Sequence, residues 1–529
     1  MILINNINLS LDTDFKNILP VLAKHPRLKN VKIQSASLYR KSVDARKKDD
    51  VHFCCSFVIT VLGNEKAALS KIKDGKILDE KEYEFKKAWQ TPDNRPVVVG
   101  FGPAGIFAAY TLAKAGLRPI ILERGEDVDT RTAAVKAFWD GAPLNPESNV
   151  QFGEGGAGTF SDGKLTTGIK DERCRTVLKL FHRYGAKDEI LTDAKPHIGT
   201  DVLCGVIKNI RNEIIALGGE VRFGHRLDSI STEDGRMVAA TVCSLEGDYI
   251  LNCDHIILAT GHSARDTFYM LRDAEVTMVR KPFAVGVRIE HPQREINQVL
   301  YGKFAEHPAL SAADYKLAVH LPSGRGVYTF CMCPGGVVVN ASSEEGRTAV
   351  NGMSYSARDG KNANSAVLTE VLPEDLCGDD VLAGVELQRS IEENAFTLTG
   401  GKGVPVQTVG GFVLGKDSKP FAEPTVKPAA VFTDISKIFP DFINKSLKEG
   451  IPALGKKLSG FDSEGAVLTA PESRSSSPVR MPRNENLCSV SVLGLYPCGE
   501  GAGWAGGIMS AAVDGIKCAE AIIDTINQI

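Results

Sequence analysis

The stretch VVVGFGPAG at residues 97–105, with the acidic residue Glu123 downstream, decides the fold of this chain. It predicts a strand, a glycine turn and a helix, followed by a second strand that ends at Glu123. This pattern opens a dinucleotide-binding βαβ unit. Gly100 permits the tight turn, Gly102 lets the backbone approach a pyrophosphate, and Gly105 permits close packing of the helix on the strand.

The same unit predicts how a dinucleotide is held. The N-terminus of the helix offers free N–H groups and a partial positive charge to the phosphates. The Glu123 carboxylate is expected to accept hydrogen bonds from both ribose hydroxyls. The predicted contacts are Gly100, Phe101, Gly102, Pro103, Ala104, Gly105, Glu123 and Arg124. The uncharged stretch 97–113 is not a membrane span, because a span needs about 20 apolar residues.

The composition is typical of a soluble globular protein. Of 529 residues, 43% are hydrophobic and 24% are charged, and the net charge of −3 indicates neither a nucleic-acid binder nor a binder of anionic membranes. No secretory signal is visible at the N-terminus. The 12 cysteines are scattered without zinc-finger spacing. We therefore expect reduced cysteines, no metal site, no membrane partner and a cytoplasmic location.

Changes in composition divide the chain into four segments. Residues 1–90 are predicted to form a small α+β accessory domain, which a proline-bearing linker at 90–96 closes. Residues 91–280 are predicted to begin a Rossmann-like nucleotide domain, 281–485 to form an inserted α+β substrate domain, and 486–529 to complete the nucleotide domain. The predicted fold class is α/β, with this discontinuous Rossmann-like domain as its centre.

The N-terminal segment shows alternating strand and helix patterns. An amphipathic helix is predicted over 12–23, with Leu19 on its buried face. Strands are predicted over 2–11, 31–38 and 51–62. The basic run within residues 40–48 is read as a solvated loop or as a site for phosphates or an acidic partner, and nucleic-acid binding is not expected. The SRSSSP sequence at 473–478 is predicted to be a low-complexity loop.

Three features favour FAD over NAD as the dinucleotide. One predicted strand ends in the small residues of 259–261, which permit close contact with a ligand. Another ends at Glu500 and is followed by a glycine-rich helix start, which could face the flavin ring and stabilise its reduced form by about 0.3–2 kcal/mol. These parts lie far from the first glycine motif, as an extended FAD requires. The further predicted contacts are Leu227, Ala259, Thr260, Gly261, Gly499, Glu500, Gly506, Gly507 and Ile508.

Four long motifs resemble those of bacterial FAD-dependent dehydrogenases, mostly described as NAD(FAD)-utilising dehydrogenases. They are GFGPAG at 100–105, NVQFGEGGAGTFSDGKL at 149–165, ATGHS at 259–263 and GEGAGWAGG at 499–507. More distantly, the arrangement is similar to the glutathione-reductase superfamily branch that contains p-hydroxybenzoate hydroxylase and geranylgeranyl reductase. The resemblance implies that the loop at 153–165 lies along the FAD. It adds Gly155, Gly156, Thr159, Asp162, Gly163 and Lys164 to the predicted contacts.

The resulting prediction is an FAD-dependent oxidoreductase that transfers two electrons between flavin and a small organic substrate. Because no second glycine-motif unit is present, NAD(P)H is expected only as a transient donor in the cleft between the domains. One alternative is a flavin monooxygenase. The other is a non-enzymatic flavoprotein whose N-terminal domain binds RNA or a protein. No oligomeric state is assigned.

No residue is assigned a catalytic role from the sequence. Cys331 and Cys333, predicted to share one face of a strand, are either core residues or thiols at the substrate surface. His262 and His291 are either proton donors or structural hydrogen-bonding groups. Trp504 either caps the flavin or packs on the surface.

Overall fold

The computed structural model describes residues 1–79, 82–416 and 418–528. The structure is mixed α/β. Its three large sheets have four, five and seven strands, and smaller two- and three-stranded sheets join them.

The N-terminal region contains a four-stranded antiparallel sheet. Its elements are β1 (Ile2–Leu9), α1 (Ile18–Lys24), β2 (Ile33–Asp44), β3 (His52–Val61), α2 (Glu65–Leu69) and β4 (Gly75–Ile77). The strand order is β2-β3-β1-β4. The inward residues of these strands form a small hydrophobic core with those of α1.

The helix predicted over 12–23 is wrong in its extent. A 3₁₀ turn at Phe15–Asn17 precedes α1, which begins only at Ile18. Pro20 explains the late start, because it has no N–H to donate back and is tolerated only in the first turn of a helix. The shift leaves Leu19 39% exposed instead of packed.

The basic run is not a loop throughout. β2 continues to Asp44 and so contains Arg40 and Lys41, because it pairs with β3 along its length. Lys41 also joins the next region: its N–H donates to the Thr192 carbonyl at 2.7 Å, and its carbonyl accepts from Ala194 N–H at 2.8 Å. The N-terminal sheet is therefore docked through backbone hydrogen bonds.

The next region builds the nucleotide domain. Its elements are β5 (Val97–Val99), α3 (Pro103–Lys114), β6 (Ile120–Glu123), α4 (Val128–Trp139), α5 (Arg173–Arg183), α6 (Thr200–Ala216), β7 (Glu220–Phe223), β8 (His225–Glu233), β9 (Arg236–Ser244), β10 (Tyr249–Asn252), β11 (Ile256–Leu258), α7 (Arg265–Asp273) and β12 (Val279–Arg280). The strands β8, β9 and β10 form a separate antiparallel sheet.

The region from 283 to 480 is built on the seven-stranded sheet. Its elements are β13 (Phe283–Pro292), α8 (Gln293–Tyr301), β14 (Ala318–His320), β15 (Gly326–Cys333), β16 (Val337–Asn340), β17 (Val350–Met353), β18 (Asn362–Val371), α9 (Ala383–Thr399), β19 (Val404–Thr408), β20 (Ala430–Phe432), α10 (Asp441–Gly455), β21 (Val467–Glu472) and β22 (Val479–Arg480). The strand order is β14-β15-β18-β13-β21-β19-β20. The apolar faces of α8, α9 and α10 share the core of this sheet.

The chain then returns to the nucleotide domain. The last elements are β23 (Leu495–Pro497) and α11 (Ile508–Gln528). β23 joins a fully parallel sheet in the order β23-β11-β5-β6-β7. The carboxyl ends of its strands meet at one edge, which is where open α/β sheets bind ligands. β12 and β22 pair with each other, so the chain enters and leaves the seven-stranded region at one place.

Two segments are held by contacts with other parts of the chain. Residues 473–478 form a loop, as predicted, in which Ser473 and Ser477 are buried and the hydroxyl of Ser477 donates to the Gly501 carbonyl at 3.0 Å. Residues 82–89 contact the last helix: Lys86 pairs with Asp524 at 2.5 Å, and Trp89 N–H donates to Asn527 at 2.7 Å. These contacts favour a boundary before residue 82 over the one predicted at residue 90.

Candidate dinucleotide site

The glycine turn after β5 requires glycine because the backbone packs tightly there. Gly100 has a φ of +93°, and a Cβ on it would lie 2.5 Å from the Ala259 carbonyl oxygen. A Cβ on Gly105 would lie 1.9 Å from the Gly100 carbonyl oxygen. The predicted roles of these two glycines in the turn and in helix packing are therefore seen directly.

The N-terminus of α3 is open. Gly102 is its N-cap residue and supplies no side-chain cap, and Pro103 follows without an N–H. Within the described ranges, the N–H groups of Gly102, Ala104 and Gly105 have no hydrogen-bond partner. Uncapped N–H groups at the positive end of a helix form an anion site. The residues present thus fit a pyrophosphate.

Glu123 is placed at the site, but its expected bonding is wrong in one respect. Its carboxylate accepts three backbone N–H groups, from Phe101 at 2.8 Å, Gly125 at 2.9 Å and Gly153 at 2.9 Å. A carboxylate has about four acceptor positions. One position therefore remains, which suffices for one ribose hydroxyl and not for both.

Arg124 and Leu227 have other partners in the structure. The Arg124 guanidinium stacks on the Phe152 ring and pairs with Glu147 at 2.8 Å and Asp266 at 2.9 Å. These two carboxylates already neutralise its charge. Leu227 is buried in the core between the two sheets of the nucleotide domain. Their contacts with a dinucleotide stay predictions.

The loop after residue 153 packs between the N-termini of two helices. A Cβ on Gly102 would lie 3.6 Å from Gly156 Cα, and a Cβ on Gly158 would lie 3.1 Å from Ile508 and 3.6 Å from Pro103. The loop therefore packs between the start of α3 and the start of α11. Positive φ angles at Gly155 and Gly156 permit its shape.

The later part of this loop is tied to the seven-stranded region. Asp162 bonds Lys164 at 2.6 Å, Arg358 Nε at 2.9 Å and the Ser354 hydroxyl. Burial would raise the pKa of Asp162, but the charges of Lys164 and Arg358 outweigh it and lower the pKa. Lys164 also donates to the Met332 carbonyl. The neighbouring members of the predicted set are Thr159, which is buried and donates to the Glu154 carbonyl at 3.3 Å, and Gly163, which packs against Gly199.

The C-terminal glycine segment meets the first motif in space. A Cβ on Gly499 would lie 2.9 Å from Ala104 Cβ, and a Cβ on Gly501 would lie 2.5 Å from the Gly261 carbonyl oxygen. The structure therefore brings together three predicted segments that are far apart in the chain. Gly506 and Gly507 are exposed just before α11, and added Cβ atoms there would meet nothing within 4 Å.

Glu500 and His262 face each other beside this junction. His262 Nε2 must donate to the Arg474 carbonyl at 2.9 Å, which leaves Nδ1 as an acceptor 3.6 Å from Glu500 Oε1. Burial and the charges of Arg474 and Arg265 lower the pKa of His262 to about 3, so the ring is neutral.

Glu500 is the polar group left free at this place. Its carboxylate makes no hydrogen bond within the part of the chain that the structure describes, and 29% of its side chain stays exposed. Burial raises its pKa to about 7, although Lys281 acts in the opposite direction. Glu500 can therefore either donate or accept a hydrogen bond near neutral pH, as a ribityl hydroxyl requires.

The contacts of His291 and Trp504, for each of which two roles were open, favour structural roles. His291 lies in the core of the seven-stranded region, where Nε2 bonds the Phe461 carbonyl at 2.9 Å and burial lowers its pKa to about 4. The Trp504 ring lies 4.7 Å from the Arg480 guanidinium and 4.1 Å from that of Arg483. Packing of the ring against these two cations, together with the bond from its Nε1–H to the Met481 carbonyl at 2.9 Å, favours a structural role over capping a flavin.

Cys331 and Cys333 do not share a face, contrary to the prediction. The pairing of β15 with β18 shifts between Phe330 and Cys333, and Cys331 has a φ of +40°. Such a bulge breaks the alternation of side chains. Cys331 is exposed, whereas the Cys333 thiol is buried and donates to the Cys331 carbonyl at 3.3 Å. Cys331 is therefore the thiol of the pair that solvent and reagents can reach.

The sequence prediction missed the residues that support the site. Asp514 on α11 accepts from Gly499 N–H at 2.8 Å and pairs with Arg483 at 3.0 Å. Cys498, Asp514 and Cys518 could offer a metal three ligand atoms within 4.8 Å of one another. However, the Arg483 guanidinium already bonds Asp514 and approaches Cys518 at 3.5 Å, which disfavours a second cation. These contacts join residues that no sequence motif connects, so the sequence alone carries no signal for them.

Comparison with known proteins supports the cofactor assignment and shows the family. Residues 282–475 match the family described as FAD-dependent protein, C-terminal domain-like, and residues 1–60 match a domain of unknown function, DUF8436. An uncharacterized protein of Clostridium beijerinckii is 51% identical over an alignment that covers 98% of each chain. This chain belongs to the family of that protein.

Some solved structures are similar at low identity. A flavin-dependent brominase is 10% identical and covers 82% of this chain and 80% of its own, with a TM-score of 0.38. A geranylgeranyl bacteriochlorophyll reductase-like protein of Thermoplasma acidophilum is 13% identical, covers 82% and 78%, and has a TM-score of 0.36. A flavoprotein/dehydrogenase of Cytophaga hutchinsonii is 12% identical, covers 82% and 78%, and has a TM-score of 0.34. Similarities of this size assign neither a reaction nor a substrate.

Within residues 1–79, 82–416 and 418–528, no helix combines the length and the apolar character needed to cross a membrane.

Proposed function

We propose that this protein is an FAD-dependent oxidoreductase that transfers two electrons between bound flavin and a small organic substrate, with NAD(P)H as a transient donor. One observation carries the proposal: the segments 100–105, 153–163 and 499–508 converge on the open N-terminus of α3. The match of residues 282–475 to an FAD-dependent family supports the cofactor.

The residues at this junction divide the work of holding the cofactor. The free N–H groups of Ala104 and Gly105 suit the pyrophosphate. The remaining acceptor position of Glu123 suits one ribose hydroxyl, and the unpaired carboxylate of Glu500 suits the ribityl chain. FAD supplies the electron-transfer chemistry when bound, while the protein orients it and excludes competing reactions.

The start of α11 is suited to stabilising the negative charge of a reduced flavin ring. Its first N–H groups follow the exposed Gly506 and Gly507, where backbone can approach a planar ring closely. The positive end of a helix favours negative charge nearby, by about 0.3–2 kcal/mol. A ring placed there would be easier to reduce. A cytoplasmic location is part of the proposal.

The decisive experiment identifies the cofactor and then its donor. The purified protein is expected to be yellow and to release FAD on denaturation, as identified by chromatography of the supernatant. Anaerobic mixing with NADH or NADPH should then bleach the flavin band, with photoreduced protein as the positive control for full reduction.

Other outcomes would redirect the assignment. Bound NAD without flavin would refute the cofactor proposal. FAD that neither nucleotide reduces would remove the proposed donor. Oxygen consumption that appears only with an organic substrate would indicate a monooxygenase. An FAD-containing protein that no reductant or substrate turns over would favour a binding role.

A further inference from the structure

Arg131 on α4 has an unusual environment. It is fully buried, and its guanidinium stacks over the Phe160 ring at 4.9 Å. All five of its N–H donors bond main-chain carbonyls in one short segment, residues 149–156. These carbonyls belong to Asn149 at 2.8 Å, Val150 at 2.9 Å, Gly153 at 3.2 Å, Glu154 at 2.6 Å and Gly156 at 3.0 Å.

None of these five acceptors is a carboxylate, so Arg131 is not part of a direct ion pair. The two nearest acids are bonded elsewhere: Glu123 holds three backbone N–H groups, and Glu154 accepts from Val128 N–H at 2.8 Å and pairs with Arg211 at 3.3 Å. A buried guanidinium that spends every donor on one backbone segment fixes the shape of that segment.

The segment held in this way forms a wall of the dinucleotide site. Five of its carbonyls bond Arg131, and two of its N–H groups bond residues of the nucleotide motif. Gly153 N–H bonds Glu123 at 2.9 Å, and Gly155 N–H bonds the Phe101 carbonyl at 2.8 Å. Gly156 lies against Gly102, since a Cβ on Gly156 would be 3.0 Å from Gly102 Cα. A shift of this wall would therefore move both Glu123 and Gly102, the N-cap residue of α3.

We propose that Arg131 is a positioning residue of the FAD site, which sets the 149–156 wall against Glu123 and Gly102 and so holds the adenosine and pyrophosphate half of the cofactor. The inference rests on the proposed function, because it assumes that FAD is the ligand. It assigns Arg131 to the grip on FAD and not to the electronic properties of the flavin ring.

The test compares Arg131→Lys with the wild-type holoprotein. Lysine keeps the charge but has three donors instead of five. FAD dissociation, followed by the rise of flavin fluorescence after dilution, should become at least about tenfold faster, since each hydrogen bond to a charged group contributes on that scale. The visible flavin spectrum and the reduction potential of the FAD that remains bound should be unchanged.

Arg222→Lys is the matched control. Arg222 lies in the same domain and is partly buried, but it bonds the side chains of Glu220 and Tyr249 at 2.8 Å. Its replacement should leave FAD dissociation unchanged. Gly156→Ala is the second variant, because it displaces the same wall from the Gly102 side and leaves Arg131 in place. It should also speed dissociation without changing the spectrum.

The outcomes separate this inference from the proposed function. Wild-type dissociation in Arg131→Lys, or a flavin spectrum and potential that change along with dissociation, would overturn the positioning role. If Arg131→Lys fails to fold, Gly156→Ala decides: unchanged dissociation in it would overturn the inference. A wild-type protein without FAD would instead refute the proposed function.

Discussion

Replacing Gly102 with alanine should separate cofactor binding from folding. Gly102 has a φ of −78°, which alanine adopts without strain, and the new methyl group would lie 3.6 Å from Gly156 Cα, an ordinary van der Waals distance. Alanine is a poorer N-cap residue than glycine, which costs on the order of 0.5–1 kcal/mol. The apoprotein of Gly102→Ala should therefore fold and melt close to the wild type.

The effect on FAD should be much larger. The methyl group would stand where the phosphate must approach the free N–H groups of Ala104 and Gly105. Loss of two hydrogen bonds to a charged group, at about 1.5–3 kcal/mol each, removes about 3–6 kcal/mol of binding free energy. The dissociation constant for FAD should rise by about a hundredfold or more.

Gly105→Ala is the contrasting variant. Its methyl group would lie 1.9 Å from the Gly100 carbonyl oxygen, so the helix cannot stay where it is. Here the melting temperature itself should fall, because overpacking of this kind costs about 1–3 kcal/mol or more. Fluorescence titration with FAD and thermal unfolding of both apoproteins provide the comparison. Wild-type FAD affinity in Gly102→Ala would refute the assignment of the α3 N-terminus to the pyrophosphate.

Three further outcomes are expected. Burial raises the pKa of Glu500 to about 7 in the folded state, above its unfolded value. The protonated carboxyl therefore stabilises the folded state at low pH, and this stabilisation is lost as pH rises from about 4.5 to 7. Glu500→Gln should therefore stabilise the apoprotein relative to wild type by up to about 3 kcal/mol at pH 8 and by almost nothing at pH 4, measured by urea unfolding; equal effects at both pH values would contradict the raised pKa. Removal of residues 1–79 should leave a yellow protein that retains FAD, whereas removal of 1–90 should lower its melting temperature, because the contacts of Lys86 and Trp89 with α11 are lost; equal melting of the two truncations would refute this boundary. In the holoprotein, iodoacetamide should modify the exposed Cys331 before the buried Cys333, as mass spectrometry of the labelled peptides would show; equal labelling rates of the two thiols would contradict the burial of Cys333.

The local geometry of the first motif could be predicted because short-range sterics determine it. Gly100 and Gly105 are required by backbone atoms that lie within the same turn or on the adjacent strand, and the pattern of the motif encodes that packing. The strands β5, β6 and β11 were also predictable, because buried parallel strands are continuous apolar runs. The same reasoning placed α11, whose start follows the exposed glycines.

Contacts between side chains and distant backbone could not be predicted from the sequence. Nothing in the pattern around Arg131 indicates that its five donors bond a segment of the next loop. Glu123 was assigned to two ribose hydroxyls, because the three N–H groups that occupy it come from separate parts of the chain. The bulge at Cys331 was missed for a similar reason, since a register shift depends on the partner strand and not on the strand itself.

The distribution of satisfied and free polar groups explains why the site is suited to a ligand. Arg131 and Asp514 satisfy the backbone just behind the wall and the C-terminal glycine segment, so these parts are held without a ligand. In contrast, the start of α3 and the carboxylate of Glu500 have no partners among the described residues, and both open towards the same junction. Free polar groups cost folding free energy unless something completes them. Backbone segments that are already held in place, next to polar groups that still lack partners, are therefore what a preorganised cofactor site requires. Such a site loses less conformational entropy on binding. The proposed FAD would complete both: its phosphates can accept from the free N–H groups, and its hydroxyls can bond the free carboxylate.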